Sequence, residues 1–324
     1  MKQKHLILNA HLGALTLLLA ATMPVSWAQE EFDETKIFIE MNATDGDAGL
    51  HALLDAEAWV SVSIDDPDGE RIFLEDVKGN LMEQGLTENF FESAEPLCAP
   101  DAEDPEAEVV PLSEFLERFL PGEYLFAGTT IEGDTLEGTA TLTFDLPAAP
   151  DISMFDGTEN VDPANALMTW AAGMDLGEKC HDDDLVTGGI ITDPALVNIV
   201  GWEVVVEPAD EEASDPFRVF SVQLPPELTS VTVSPEYLNS FPAGTEFKFE
   251  VGAIEASGNQ TFSEGGFSTL SGGVAINPPP IVSRSSNNIF GCTVGPSDGT
   301  IDPTLPLLML ISLGYLLRRR LSET

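Results

Sequence analysis

Cysteine and histidine are the residues whose types could support thiol or metal chemistry, and the chain has three Cys and four His in 324 residues. Cys98 and Cys180 lie in the body of the chain. In an oxidising compartment this pair predicts a disulfide that closes about 80 residues and stabilises the fold by roughly 4–5 kcal/mol on the chain-entropy model. The alternative is two unpaired cysteines that lie too far apart to bond. Cys292 lies near the C-terminus, outside this body.

Clusters of carboxylates are a second candidate chemistry, because carboxylate oxygens are suitable ligands for Ca²⁺. Asp45 and Asp47 together with residues 65–69 form one such cluster, and residues 182–184 form another. The spacing of an EF-hand fails, since Leu50 and Ala56 occupy the sixth and twelfth positions counted from Asp45. Calcium is therefore one interpretation, and ordinary acidic turns and solvated loops are the other.

Catalysis has little support in the sequence. His51 and His181 lie in no nucleophile motif such as G-x-S-x-G. His181 follows Cys180 and precedes three Asp, but no second His or Cys is spaced to complete a metal site. The sequence therefore predicts no catalytic residue, no cofactor and no metal ligand beyond the calcium interpretation, and it predicts a protein that is not an enzyme.

The charge balance restricts the classes of partner. The chain has 13 Lys+Arg against 56 Asp+Glu, a formal net charge of −43. Such a surface repels phosphate, which excludes a nucleic-acid binder that works through a basic patch. The hydrophobic content of 43%, with 18 Phe and 4 Trp, is enough to build packed cores and does not indicate a disordered chain.

The first 28 residues have the features of an export signal. Lys2 and Lys4 precede a mostly apolar stretch over residues 6–21, and Ser26 and Ala28 supply small residues at a cleavage site. We expect cleavage after Ala28. The alternative is a permanent N-terminal membrane helix.

The C-terminal segment predicts a hydrophobic helix over 301–324. Its apolar part, residues 301–317, would be roughly 26 Å long as a helix, and Arg318, Arg319 and Arg320 follow it. By the positive-inside tendency these arginines stay in the cytoplasm and the preceding chain lies outside. Residues 271–300 are rich in Gly, Pro and Ser, which indicates a linker between the exported body and the membrane.

This C-terminal segment resembles bacterial sorting signals of the PEP-CTERM, MYXO-CTERM and JDVT-CTERM kind. The resemblance rests on Gly291-Cys292-Thr293, on Asp302-Pro303 and the residues after it, and on the closing arginines. It implies processing by an intramembrane protease, modification at Cys292 and transfer to the cell surface. A simple single-span anchor is the alternative.

Residues 29–148 read as a β domain with a small helical insertion. Val60, Val62 and Ile64 alternate with Ser, and Ile72 and Leu74 are predicted to continue that apolar face after a turn at 65–69. Helical spacing predicts a helix around residues 112–119 and suggests another over residues 81–92. A second hairpin is predicted to pair residues 122–126 with residues 140–144.

Residues 150–270 have a clearer strand pattern, in which apolar side chains alternate with polar ones. The predicted inward residues of two strands are Trp202, Val204 and Val206, and Phe247, Phe249, Val251 and Ala253. This segment resembles a fibronectin type III domain, on residues 167–170 with Trp170, on residues 199–204 and on residues 238–253. The resemblance implies a binding scaffold without catalysis. Phe247 replaces the usual corner Tyr, and residues 171–198 make an unusually long connection.

Residues 119–126 have a sequence pattern similar to that of residues 241–249, a turn followed by an aromatic-rich strand. This similarity predicts an immunoglobulin-like sandwich for the first domain as well. The resulting fold is mainly β, with two immunoglobulin-like β-sandwich domains, the second fibronectin type III-like, and a C-terminal hydrophobic helix. The predicted function is non-enzymatic binding or adhesion at the cell surface, with an extracellular protein or polysaccharide as partner, besides the export and sorting machinery. The alternatives are an extracellular accessory enzyme acting on carbohydrate or protein, and a passive envelope spacer.

Overall fold

The structure is a computed structural model that describes residues 29–102, 104–180, 183–210 and 218–271. The predicted export signal at 1–28, all of the predicted linker except Ser271, and the hydrophobic helix at 301–324 lie outside the described residues. So do His181, Asp182 and the predicted sorting residues, which are Cys292, Asp302, Pro303 and Arg318, Arg319 and Arg320. Within the described ranges, no helix is both long enough and apolar enough to cross a membrane.

The described chain is mainly β. Its strands, in chain order, are β1 (Gln29–Glu31), β2 (Glu34–Asn42), β3 (Asp47–Asp65), β4 (Arg71–Asp76), β5 (Leu86–Glu92), β6 (Gly122–Thr130), β7 (Thr135–Leu142), β8 (Thr158–Val161), β9 (Leu167–Thr169), β10 (Ile199–Pro208), β11 (Phe220–Leu224), β12 (Ser230–Thr232), β13 (Glu246–Glu255) and β14 (Gln260–Thr269). The α-helices are short: α1 (Asn80–Gln84), α2 (Leu112–Arg118), α3 (Asp183–Thr187) and α4 (Pro235–Leu238).

Most strands join in one mixed sheet with the order β1-β7-β6-β3-β2-β14-β13-β10-β11, while β9 and β12 form a separate antiparallel pair. β4 and β5 pair with β3, and β8 pairs with β14. The centre of this order is a parallel pairing in which Gln260, Thr261 and Phe262 of β14 lie opposite Glu40, Met41 and Asn42 of β2. This β2–β14 seam connects the N-terminal and C-terminal halves of the sheet.

Two hydrophobic cores lie on the two sides of the seam. The first is built mainly from residues within 32–146, among them the fully buried Ile39, Trp59 and Phe126. The second draws on residues 152–170 and 202–267. The long connection between β9 and β10 does not follow this division, because its Leu176, Cys180, Leu185 and Ile191 are buried in the first core. A segment that lies in the sequence between two strands of the second core therefore completes the first core.

The alternation predicted for the second half is confirmed. Trp202, Val204 and Val206 of β10 are buried, and so are Phe247, Phe249, Val251 and Ala253 of β13. Trp170 is buried too and packs edge-on against Trp202, with 6.0 Å between ring centroids. Helix α2 occurs where the helical spacing predicted it, and its Leu112, Phe115 and Leu116 are buried.

Two local predictions are wrong. Ile72 and Leu74 do not continue the inner face of β3, because the pairing shifts between Ile64 and Asp65 and brings Phe73 opposite Ile64. Ile72 and Leu74 are consequently exposed, and Phe73 stacks on Phe91 with 4.5 Å between centroids. The suggested helix over 81–92 is also wrong after its first turn, since β5 pairs with β3.

Candidate functional site

The predicted disulfide between Cys98 and Cys180 is present, with a Cα–Cα distance of 5.1 Å and a sequence separation of 82. It joins the loop after β5 to the connection that completes the first core. Lys179 reinforces this junction, because its Nζ lies 2.8 Å from Asp101 Oδ2 and donates to the Asp45 carbonyl at 3.1 Å. Gly46 permits the approach: it has φ +77, and a Cβ there would lie 2.3 Å from Lys179 Cβ.

An acidic cavity of about 410 Å³ lies beside the disulfide. Its titratable lining residues are Asp45, Asp47, Glu95, Asp101, Asp104, Glu108 and Lys179. Burial raises the pKa of Asp47 to about 7, with further contributions from the negative charges of Glu95, Asp45 and Glu264. At neutral pH the cavity therefore holds a carboxyl group that readily takes up or loses a proton.

Two further carboxylates with raised pKa values lie on the C-terminal side of the seam. Glu250 of β13 and Glu264 of β14 lie directly opposite each other. Burial, with the charge of Glu264 next in importance, raises the pKa of Glu250 to about 7, and burial also raises the pKa of Glu264. The positive charge of Lys248 opposes these shifts, and Lys248 also forms an ion pair with Glu207 at 2.7 Å.

His51 is buried at the first-core side of the seam, between two carboxylates. Its Nε2 lies 3.5 Å from Glu95 Oε1, and its Nδ1 lies 3.9 Å from Glu40 Oε2. Burial alone would lower the pKa of His51, but the contact with Glu95 and the charges of Glu40 and Glu92 outweigh it, so the pKa is raised. Burial raises the pKa of Glu40 despite the opposing charge of His51.

The secondary structure explains why these three side chains meet. Phe38 and Glu92 are the direct cross-strand partners of His51 on β2 and β5, and Glu40 lies two residues along β2 from Phe38. Glu95 follows β5, and its carboxylate lies over Gly49 of β3, where a Cβ would come within 2.8 Å of it. The three side chains offer one ligand atom each within 4.8 Å of one another.

The structure does not bring together the acidic residues that the calcium interpretation grouped. Asp47 begins β3 and Asp65 ends it, at opposite ends of a strand of 19 residues. Asp65 is paired with Arg71 at 2.6 Å, and Asp66 accepts hydrogen bonds from the backbone N–H groups of Asp68 and Glu70 within its own turn. Asp45 and Asp47 instead meet Glu95 and Asp101 at the acidic cavity.

Glu40 and Glu95 were not predicted from the sequence as partners of His51, and neither Glu250 nor Glu264 was predicted as a candidate site residue. Glu40 interrupts the otherwise apolar run of residues 37–41, which is the one local signal that it faces something other than a dry core. Glu95 carries no such signal, since its position depends on the pairing of β5 with β3 and on the open space over Gly49.

No family model and no curated protein matches the chain. Among solved structures, similarity is found to a tetra-tandem repeat from the extending region of a large adhesion protein, with 11% identity over 74% of this chain and 50% of that one and a TM-score of 0.23. A bacterial ice-binding adhesin has 13% identity over 75% and 65%, with a TM-score of 0.21. The BSP domain of a biofilm-associated protein has 14% identity over 76% and 30%, with a TM-score of 0.19. The chain thus spans between 30% and 65% of these three structures, and the functional conclusions come from its own geometry.

Proposed function

We propose that the chain is an exported, surface-anchored, non-enzymatic protein that binds or adheres to an extracellular protein or polysaccharide. The observation that carries this proposal is the Cys98–Cys180 disulfide, which ties two segments 82 residues apart into the first core. Disulfides of this kind persist in oxidising compartments and are rare in the cytosol. The bond therefore supports the export that the N-terminal sequence predicts.

The proposed scaffold is a pair of immunoglobulin-like sandwiches, the second of the fibronectin type III kind. The buried Trp170 and Trp202 support the second sandwich. The first is supported by Tyr124, whose hydroxyl donates to the Leu120 carbonyl at 3.0 Å, four residues upstream, as in the tyrosine corner of immunoglobulin-like domains. Such scaffolds commonly present binding surfaces, and the fold by itself does not decide between a binding protein and an enzyme.

The proposed anchor is the hydrophobic segment at 301–324, with sorting at Cys292, Asp302 and Pro303 and with Arg318, Arg319 and Arg320 on the cytoplasmic side. In this arrangement the linker at 271–300 holds the β body away from the membrane. The net charge of −43 keeps a displayed body soluble through self-repulsion.

An attachment assay tests the binding proposal. Cells that lack the gene are compared with cells complemented by the full chain and by a chain that ends at residue 300. The account predicts that attachment to the natural surface is lost on deletion, restored by the full chain and not restored by the truncated one. Unchanged attachment in all three strains would contradict a binding role and leave the passive spacer.

A second candidate, an accessory enzyme acting on extracellular carbohydrate, is favoured by one observation, the carboxyl of Asp47 with its pKa of about 7 beside the acidic cavity. A carboxyl with this pKa is suited to act as a general acid at neutral pH. The purified chain assayed against polysaccharide substrates decides the question: hydrolysis that disappears in Asp47→Asn supports the enzyme, and the absence of hydrolysis supports the binding protein.

A further inference from the structure

We propose that Glu40, His51 and Glu95 bind one divalent transition-metal ion, with Zn²⁺ as the expected occupant. Their ligand atoms already lie within 4.8 Å of one another. In a tetrahedral site with bonds of about 2.0 Å the ligand atoms are about 3.3 Å apart, so the distances between them need to shorten by at most about 1.5 Å. The site shares Glu95 with the acidic cavity beside the disulfide, but it does not depend on the proposed adhesive function.

The histidine provides an observation that is independent of the carboxylates. The His51 side chain is 4% exposed, and its Nδ1 has no hydrogen-bond partner among the residues that the structure describes. That atom lies 3.9 Å from Glu40 Oε2, which is too far for a hydrogen bond, and Nε2 lies 3.5 Å from Glu95 Oε1, at the long limit. A buried polar atom without a partner destabilises a fold. A metal ion bound to Nδ1 together with Glu40 would satisfy it, and the Glu95 carboxylate, which lies on the Nε2 side of the ring, would have to turn toward Nδ1 to complete the site.

The proposed ligands are also held by contacts with neighbouring residues. Phe38 and Phe90 pack against the imidazole ring of His51, with centroid distances of 5.2 and 5.6 Å. The side-chain amide of Gln260 donates to Glu40 Oε2 across the β2–β14 seam. Such outer contacts orient ligands and tune the affinity of a metal site.

Glu95 is positioned from two sides. Ser93 is tied to β3 because its N–H donates to the Leu50 carbonyl and its Oγ accepts from the Leu50 N–H, both at 2.9 Å. The carboxylate then lies over Gly49, in space that an alanine Cβ would fill. Gly49 is therefore a positioning residue, and it can be changed without removing any ligand.

The donor set selects the class of metal. One imidazole nitrogen with two carboxylates suits Zn²⁺ and its first-row neighbours, whereas Ca²⁺ and Mg²⁺ prefer oxygen ligands alone. The charges of Glu92 and Asp47 nearby favour a cation further. The competing explanation is a protonated imidazole that pairs with both carboxylates, and this arrangement requires no metal.

Zinc titration of the full chain tests the proposal. The protein is stripped with a chelator and titrated with ZnCl₂ by calorimetry at pH 7.5 in 1 mM CaCl₂, which occupies weak oxygen-only sites. We expect one tight site in the wild type, its loss in His51→Gln, and its retention in His181→Gln, the matched histidine control. Absence of tight binding in the wild type, or equal binding by His51→Gln, would overturn the proposal in favour of the protonated imidazole.

Two further measurements keep the test decisive if His51→Gln fails to fold, which circular dichroism of the metal-free variant reveals. Gly49→Ala is expected to weaken Zn²⁺ binding about 10–100-fold, as is typical when the support of a ligand is disturbed. Co²⁺ in place of Zn²⁺ is expected to give the intense visible absorption of a four-coordinate site in the wild type. Undiminished affinity in Gly49→Ala, or only the weak spectrum of hydrated Co²⁺, would count against the site.

Discussion

Asn259 joins the two halves of the sheet, because its side-chain Oδ1 accepts a hydrogen bond from the backbone N–H of Ile39 in β2 at 2.8 Å. Its Nδ2 donates to the carbonyls of Thr143 and Asp145 at 2.9 and 3.2 Å. Asn259 is fully buried and lies in the turn between β13 and β14. One side chain from the second half of the sheet thus satisfies three backbone groups of the first half.

Asn259→Ala is therefore expected to lower the free energy of unfolding by about 2–4 kcal/mol, because it leaves several buried backbone groups unsatisfied. Urea denaturation of the full chain measures the change. Asn239→Ala is the matched control: Asn239 is exposed after α4, and a change of less than about 0.5 kcal/mol is expected there. Equal effects of the two substitutions would show that the seam does not depend on Asn259.

The disulfide is expected to account for a large part of the stability of the first core. Cys98→Ser with Cys180→Ser should lower the free energy of unfolding by about 4–5 kcal/mol on the chain-entropy model for a loop of 82 residues. Denaturation with and without reductant measures this, with Cys292→Ser as the control that keeps the full dependence on reductant. Identical curves for the wild type with and without reductant would rule out a stabilising bond.

Because Asp47 and Glu250 have raised pKa values, the free energy of unfolding is expected to fall as the pH rises through the weakly acidic range. The folded-state pKa of about 7 for Asp47 and for Glu250 lies above the ordinary values of about 3.9 and 4.3 that these groups have in the unfolded chain. The folded state therefore binds more protons between pH 4 and 7, and its stabilisation by these protons is complete below about pH 4 and lost by about pH 7.

Asp47→Asn removes one of these two groups, so it should flatten the decline in melting temperature between pH 4 and 7. Asp68→Asn changes an exposed turn carboxylate and is expected to leave the slope as it is. A wild-type melting temperature that rises over this range would contradict the assignment.

Salt is expected to stabilise the protein because it screens repulsion among carboxylates. The chain carries a net charge of −43, and Glu250 and Glu264 lie directly opposite each other. The melting temperature should rise between 0.05 and 1 M NaCl. Glu264→Gln keeps the shape of the side chain, and it should raise stability at low salt and reduce the salt response. A melting temperature independent of salt in the wild type would show that the repulsion is already neutralised within the fold.

Much of the fold follows from local pattern. The alternation in residues 202–206 and 247–253 predicted β10 and β13 because every second side chain enters one core. The face of β4 was not predictable in this way: the irregular pairing at Ile64 and Asp65 adds one residue, and a shift of one residue turns every following side chain to the opposite face. Residues 86–92 have a spacing that suits a helix or a strand. They form a strand because they pair with residues 51–59 of β3.

Of the candidate sites, one could be predicted from the sequence and another could not. Cys98 and Cys180 could be paired from the sequence, because export and the small number of cysteines leave few alternatives. The group of Glu40, His51 and Glu95 could not, because it depends on the register of β2 and β5 against β3 and on the missing side chain of Gly49. Contacts of this kind join residues far apart in sequence through pairings that no local pattern encodes.

The central claim, display of a disulfide-bonded body on the outside of the cell, is tested most directly by external proteolysis of intact cells. The peptides that a protease releases are analysed by mass spectrometry without reduction. The account predicts that intact cells release peptides from residues 29–271, among them one in which Cys98 is bonded to Cys180. Peptides that are released only after lysis, or that carry both cysteines as free thiols, would contradict it.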